Sequence, residues 1–124
     1  MTTDHILGRE GENIACDFLT TKGFEIIEKN WHSGKYGEID IIAMDKNTNE
    51  LVFVEVKTRD TSINDAKELV TRKKQEKLFK LAESYLYIKH LQSPSCRFDV
   101  IAIKINTKEK KLEHIKNAFY ASHY

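Results

Sequence analysis

Y-G-E-I-D-I-I-A-M at 36–44 and L-V-F-V-E-V-K-T-R at 51–59 are the segments that decide how this chain folds. Both alternate with a period of two, the pattern of a strand with one buried face. Between them Asp45, Lys46, Asn47, Thr48, Asn49 and Glu50 are turn formers, so the pair reads as an antiparallel hairpin. The first strand is expected to place Ile39 and Ile41 on one face, with Glu38, Asp40 and Ile42 on the other. The second is expected to place Val52, Val54 and Val56 on one face, with Phe53, Glu55 and Lys57 on the other. Pairing the apolar faces leaves Asp40, Glu55 and Lys57 together on the opposite side. Two carboxylates and an ammonium beside apolar residues have the composition of a site.

The 124 residues carry a net charge of +1, and 31% of them are charged, the composition of a single globular domain over 1–124. That length holds one core without disulfide or metal staples. No apolar run approaches the roughly 20 residues needed to cross a bilayer. Met1 to His5 have neither the basic start nor the apolar core of a signal peptide. The expectation is therefore a cytoplasmic protein with no membrane partner. Cys16 and Cys96 form no C-x-x-C pair and read as two small buried thiols in a reducing compartment. No histidine stands at ligand spacing from a cysteine, which argues against structural zinc.

Upstream of the hairpin, residues 8–22 read as a helix whose buried stripe is Ile14, Ala15, Phe18 and Leu19, with Gly23 as its stop. Glu10 and Glu12 suit the first turn electrostatically. Glu12 also projects along the edge of the stripe, where it would reach a site at the helix start. Residues 24–31 read as a strand, and 32–35 as a loop in which Gly34 and Gly37 flank Lys35 and Tyr36 and permit close approach to a ligand. Trp31 reads as core or interface, with base stacking the rarer alternative.

Downstream, residues 60–64 read as a polar linker and 65–90 as a long helix, with Leu69, Val70, Leu78, Leu81, Ala82, Tyr85, Leu86 and Ile88 as its apolar stripe. Arg72, Lys73, Lys74, Lys77 and Lys80 face only Glu68 and Glu76 in its first half. Such a run is either a solvated helix face or a surface that contacts phosphates. Residues 97–105 read as a strand, 111–115 as an edge strand, and 118–124 as a tail packed through Phe119 and Tyr120. The order is helix, three strands, helix, two strands.

Glu55 and Lys57 share a strand face by necessity, and Asp40 approaches them if the hairpin register allows. Clustered carboxylates repel unless one is protonated or a cation sits between them. Mg2+ (or Mn2+) suits such hard oxygen ligands and would stabilise charge on a phosphoryl oxygen, with Lys57 orienting water or offsetting phosphate charge. The alternative is a surface Glu–Lys pair on a half-exposed strand.

G-R-E-G-E-N-I-A at 8–15, N-W at 30–31, G-E-I-D-I-I-A at 37–43 and F-V-E-V-K-T-R at 53–59 resemble the UPF0102 (YraN-type) family. So do V-T-R-K-K-Q at 70–75, R-F-D-V at 97–100 and H-I-K-N-A-F at 114–119, in the same order and spacing. That family resembles in turn the PD-(D/E)xK nucleases, including archaeal Holliday-junction resolvases. The resemblance implies an α/β, restriction-endonuclease-like fold: a mixed central sheet carrying a catalytic hairpin, flanked by helices. It implies that Asp40 is the metal-binding aspartate, Glu55 the second acidic residue and Lys57 the lysine of the motif. Glu12 corresponds to the acidic residue supplied by the first helix in resolvase-like relatives, which implies a third metal ligand beside Asp40 and Glu55 and a catalytic set of Glu12, Asp40, Glu55 and Lys57. Lys74 corresponds to the lysine of the V-T-x-x-K segment, facing substrate phosphate among the nucleic-acid-binding candidates Arg72, Lys73 and Lys77. Asp99 is expected to be structural, paired for instance with Arg97.

Two functions are compatible with these residues. One is a metal-dependent endonuclease acting on DNA, of branched or junction form, where symmetric cutting of two strands would favour a homodimer. The other is a nucleic-acid or protein-binding module that keeps the nuclease fold without turnover, which suits the near-neutral charge.

Overall fold

The computed structural model describes residues 3–59, 70–92 and 94–120. Its elements are α1 (Thr3–Thr21), β1 (Phe24–Ser33), β2 (Gly37–Asp45), β3 (Glu50–Arg59), α2 (Arg72–Ile88), β4 (Cys96–Ile105) and β5 (Lys110–Phe119). The strands form one sheet in the order β1-β2-β3-β4-β5, antiparallel throughout except for the parallel β3–β4 pair. A parallel neighbour needs a crossover connection, and α2 lies in it. The sheet is therefore mixed, with the expected hairpin β2–β3 inside it, and the element order is the expected one. None of the described helices is long and apolar enough to cross a membrane.

Each sheet face is closed by a different helix. Leu19 and Ala15 of α1 pack with Ile41, Ala43, Val52, Val54, Ile101 and Ile103. On the other face Leu78, Phe79, Leu81, Ala82 and Tyr85 of α2 pack with Ile39, Ile42, Phe53 and Val100. Strands covered on both faces read as apolar runs, such as Ile41–Ala43 and Leu51–Val54. The side that carries Glu55 and Lys57 is thus not a polar face. It is buried under α2 for most of its length and becomes polar only toward the C-terminal end of β3.

Several expected boundaries move. Helix α1 begins at Thr3, and β1 extends to Ser33, which shortens the following turn to residues 34–36. The linker at 60–64, the start of the helix expected over 65–90 including Leu69, and the tail beyond residue 120 lie outside the described residues. Val70 is described and is a buried bend, not helix. Thr71 is the N-cap, its hydroxyl accepting the Lys74 N–H at 3.2 Å. Strand β5 runs on to Phe119, which is buried, while Tyr120 is exposed; the expected packed tail is the end of a strand. Trp31 packs edge-on against Tyr85 at 5.3 Å between ring centroids, as a core residue.

One expected facing is corrected. Ile39 and Ile41 lie in opposite core clusters, not on one face. The β2–β3 ladder ends at the Ile41–Val54 pair, so the alternation breaks between residues 39 and 41. On the other neighbour, Asn30 lies between the Lys29–Ile41 and Trp31–Ile39 pairs with φ 51, a left-handed conformation that Asn tolerates. The irregularity centres on Asp40.

Candidate functional site

Where β2 and β3 part, a ladder hydrogen bond is replaced by a side chain. Asp40 Oδ2 accepts the Val56 N–H at 2.8 Å, which anchors its carboxylate against the exposed backbone edge of β3. Glu55, on the α2 side of β3, is only 5% exposed. Lys57 Nζ lies 3.6 Å from Glu55 Oε1, as strand periodicity requires, and Lys74 Nζ reaches the same oxygen at 3.8 Å from the first turn of α2. The other oxygen, Glu55 Oε2, is buried without a hydrogen-bond donor. Asp40, Glu55, Lys57 and Lys74 are thus brought together.

Burial, and next to it the Glu55 carboxylate, push Asp40 up to about 8 against the lowering effect of the Val56 N–H. The charges of Glu12 and then Glu38 push the same way. Burial likewise raises Glu55, opposed by Lys74 and Lys57. With one proton between them the two carboxyls can bond to each other; with none, they repel and Glu55 Oε2 is left without a donor. That orphaned oxygen beside a second carboxylate fits a hard divalent cation. Among the described residues no three Cys, His, Asp or Glu side chains stand close enough to form a ready-made metal cage. Glu12 accordingly acts at Asp40 through its charge, at the edge of the site. It is placed there by Gly11, whose bare backbone lies directly on the Thr58 side chain and leaves no room for a Cβ.

The basic candidates divide by depth. Arg72 and Lys73 are exposed, while Lys74 and Lys77 are half-buried, one turn apart on the face of α2 that meets the sheet. All of the first turn, Arg72, Lys73 and Lys74, carries positive charge and no acid, the wrong sign for a helix N-terminus. Each such cation costs about 0.3–1 kcal/mol at an exposed terminus. Arg72 is compensated by Glu76 at 4.0 Å and Lys74 by Glu55. The reach of Lys74 to Glu55 was not foreseeable from sequence spacing, because the two residues meet only through the crossover. The Thr71 cap was foreseeable: a Thr before a periodic run is a helix-start signal.

A second ionic group lies at the far end of the hairpin. Buried Arg97 pairs with Asp45 and Glu50 at 2.8 Å each and with Asp99 at 3.0 Å. Asp99 also lies 2.8 Å from His114 Nε2 and accepts the Asn117 N–H at 2.9 Å. Burial alone would raise Asp99, but His114, Arg97 and the Asn117 N–H hold it below the usual carboxylate range. Asp99 is structural, tying β4 to β5, as its place beside Arg97 suggests. Asp45, expected in the turn, is the fully buried last residue of β2, and it also accepts the Asn47 N–H as a turn former does.

Residues 11–103 match the uncharacterised protein family UPF0102. A UPF0102 protein of Thermodesulfovibrio yellowstonii is 49% identical over 92% of this chain and 96% of its own length. One from Chlorobium phaeobacteroides is 45% identical over 93% of this chain and 94% of its own. Among solved structures, that of Pyrococcus furiosus SfsA in complex with Ca2+ aligns at 12% identity and a TM-score of 0.35, over 91% of this chain and 63% of that one.

Proposed function

The chain belongs to the UPF0102 family, and we propose that it is a metal-dependent nuclease hydrolysing phosphodiester bonds in DNA. The observation that carries this is Glu55 Oε2: a buried carboxylate oxygen without a donor, beside a second carboxylate. Leaving a buried acceptor without a donor costs about 1–3 kcal/mol, a cost that a cation bound between the two carboxylates would offset. Asp40 and Glu55 would hold magnesium or manganese, with Glu12 adding negative field; when bound, the cation would supply Lewis-acid polarisation of a phosphoryl oxygen. Lys57 and Lys74 hold fixed positive charge beside that position and stabilise negative charge that grows on a phosphate during displacement. The positive charge gathered on the first turn of α2, with no acid beside it in that turn, supports the same site, because it is unfavourable for the helix terminus and favourable for a polyanion.

A binding module without turnover is favoured by one observation. Lys57 and Lys74 already neutralise Glu55 from within the chain. The two are separated by incubating branched and linear DNA with the protein in magnesium or manganese. Cleavage that requires the metal and disappears in Asp40→Ala and Glu55→Ala, with both variants folded, is the expected result. Variants that cut as fast as the parent would remove these residues from the reaction. Salt-sensitive binding with no cleavage under either metal would leave the binding module.

A further inference from the structure

The turn between β1 and β2 presents an aromatic ring to the end of the sheet where the carboxylates lie. Tyr36 is 45% exposed. The other exposed aromatics among the described residues are Tyr87, in the last turn of α2, and Tyr120, which follows the end of β5 at the opposite end of the sheet. Tyr36 is not loosely held. Its N–H donates to the Ser33 carbonyl at 3.0 Å, and Gly34 adopts φ 53 to close the turn. Lys77 Nζ lies 5.6 Å from the ring centroid. Gly37 lies so close to α2 that a Cβ there would come within 2.7 Å of Lys77 Cε and 3.4 Å of Leu81. The turn is therefore seated on the helix, and the ring is pre-positioned with much of its surface open.

Tyr36 precedes Asp40 by four residues of extended chain, about 13 Å at most, a span of a few nucleotides. Lys77 stands one helical turn beyond Lys74, so positive charge continues from Glu55 toward the ring. An open aromatic face beside an ammonium matches a nucleotide whose base is free to stack and whose phosphate is adjacent. In a continuous duplex both faces of each base are covered by neighbours, so such a ring has nothing to stack on. We propose that Tyr36 and Lys77 form a subsite for one unpaired nucleotide within a few nucleotides of the cleavage position, and that the substrate is nucleic acid with single-stranded character there. The inference rests on the site acting on nucleic acid.

Binding of the full chain in calcium tests it, using a blunt duplex, the same duplex with a short unpaired flap, and a flap labelled with 2-aminopurine. The flap should bind roughly tenfold tighter than the blunt duplex, the scale of one stacked base. Tyr36→Ala should lose most of that preference while binding the blunt duplex within about twofold of the parent; Tyr36→Trp should keep it. Fluorescence of 2-aminopurine should be quenched by the parent and not by Tyr36→Ala. Equal affinity for flap and duplex, or a preference that survives Tyr36→Ala, would overturn the subsite. If the flapped duplex is cut in magnesium in an Asp40-dependent manner and Tyr36→Ala neither slows that cutting nor weakens flap binding, the subsite falls and the nuclease stands. If no probe binds, both fall.

Discussion

Asp40 does two things with one carboxylate. Oδ2 takes the Val56 N–H just past the end of the β2–β3 ladder, and the rest of the group faces Glu55. Its titration follows from that position. Burial and Glu55 raise it from 3.8 to about 8, so the folded protein holds a proton that the unfolded chain has released between those values. The sign is fixed by linkage: this group favours folding fully below about pH 4, and that contribution is lost as pH rises through about 8. The Arg97 cluster has the opposite sign, since Asp99 and Asp45 are lowered. Its contribution is present above their ordinary range and is lost in acid, a window that does not overlap. Thermal melts of metal-stripped protein from pH 5 to 9 should therefore decline with rising pH in the parent and be flatter in Asp40→Asn, which cannot titrate. Magnesium or manganese should restore stability at the alkaline end of the parent only. Parallel profiles for the two proteins would show that Asp40 does not carry the proton.

At the level of elements, α1 depends on a contact that only glycine permits. Alanine at position 11 gains about 1 kcal/mol of helix propensity over glycine. It also drives its Cβ into Thr58, with the Thr58 Cβ at 3.1 Å and Cγ2 at 3.3 Å as well as Oγ1 in the way. Overpacking of this kind costs typically about 1–3 kcal/mol, so Gly11→Ala is expected to be net destabilising and to shift Glu12 away from the carboxylates. In a Thr58→Ala background the obstruction is gone, and the same substitution should be neutral or stabilising; denaturant melts of the four proteins form the test, and additive effects would exclude the contact. Nothing in G-R-E-G-E-N announces this partner, since Gly11 and Thr58 are separated by three strands of chain. The hairpin was legible because alternation with a period of two is local. Glu55 and Lys57 stand on the face that periodicity assigns. The position of Ile39 was not, because it turns on where the ladder ends, and that is decided by Asp40 bonding across to Val56. The start of α2 departs from the spacing at Val70 for a related reason. Val70 fits the apolar stripe by spacing, but Thr71 caps the helix after it, and Val70 is buried as a bend.

For the whole molecule, a net charge of +1 conceals a division between the ends of the sheet. Around Arg97 the charges are paired among themselves: one guanidinium meets the buried Asp45 and Asp99 and the half-buried Glu50. At the other end Lys74 and Lys77 line one face of α2, Lys35 lies in the turn beside Tyr36, and Arg72 and Lys73 are exposed on the first helical turn. A polyanion meets a small cluster of cations there, not a wide basic surface, and this limits how many counterions binding can release. Taking Lys35, Lys74 and Lys77 as phosphate contacts gives a slope of log affinity against log salt near −3 for duplex DNA, at about −0.9 per contact. Lys74→Ala and Lys77→Ala should each reduce the slope by about one and weaken binding similarly for all sequences. The two differ in a second readout. Lys74 contacts Glu55 and Lys77 contacts Tyr36, so Lys74→Ala should also lower the turnover of bound DNA, whereas Lys77→Ala should leave that turnover near the parent's and act on affinity. Titrations at four or five salt concentrations, paired with single-turnover rates, measure both quantities. A slope steeper than about −6 would place most phosphate contacts outside this end of the sheet, and an unchanged slope in both variants would remove α2 from the interface.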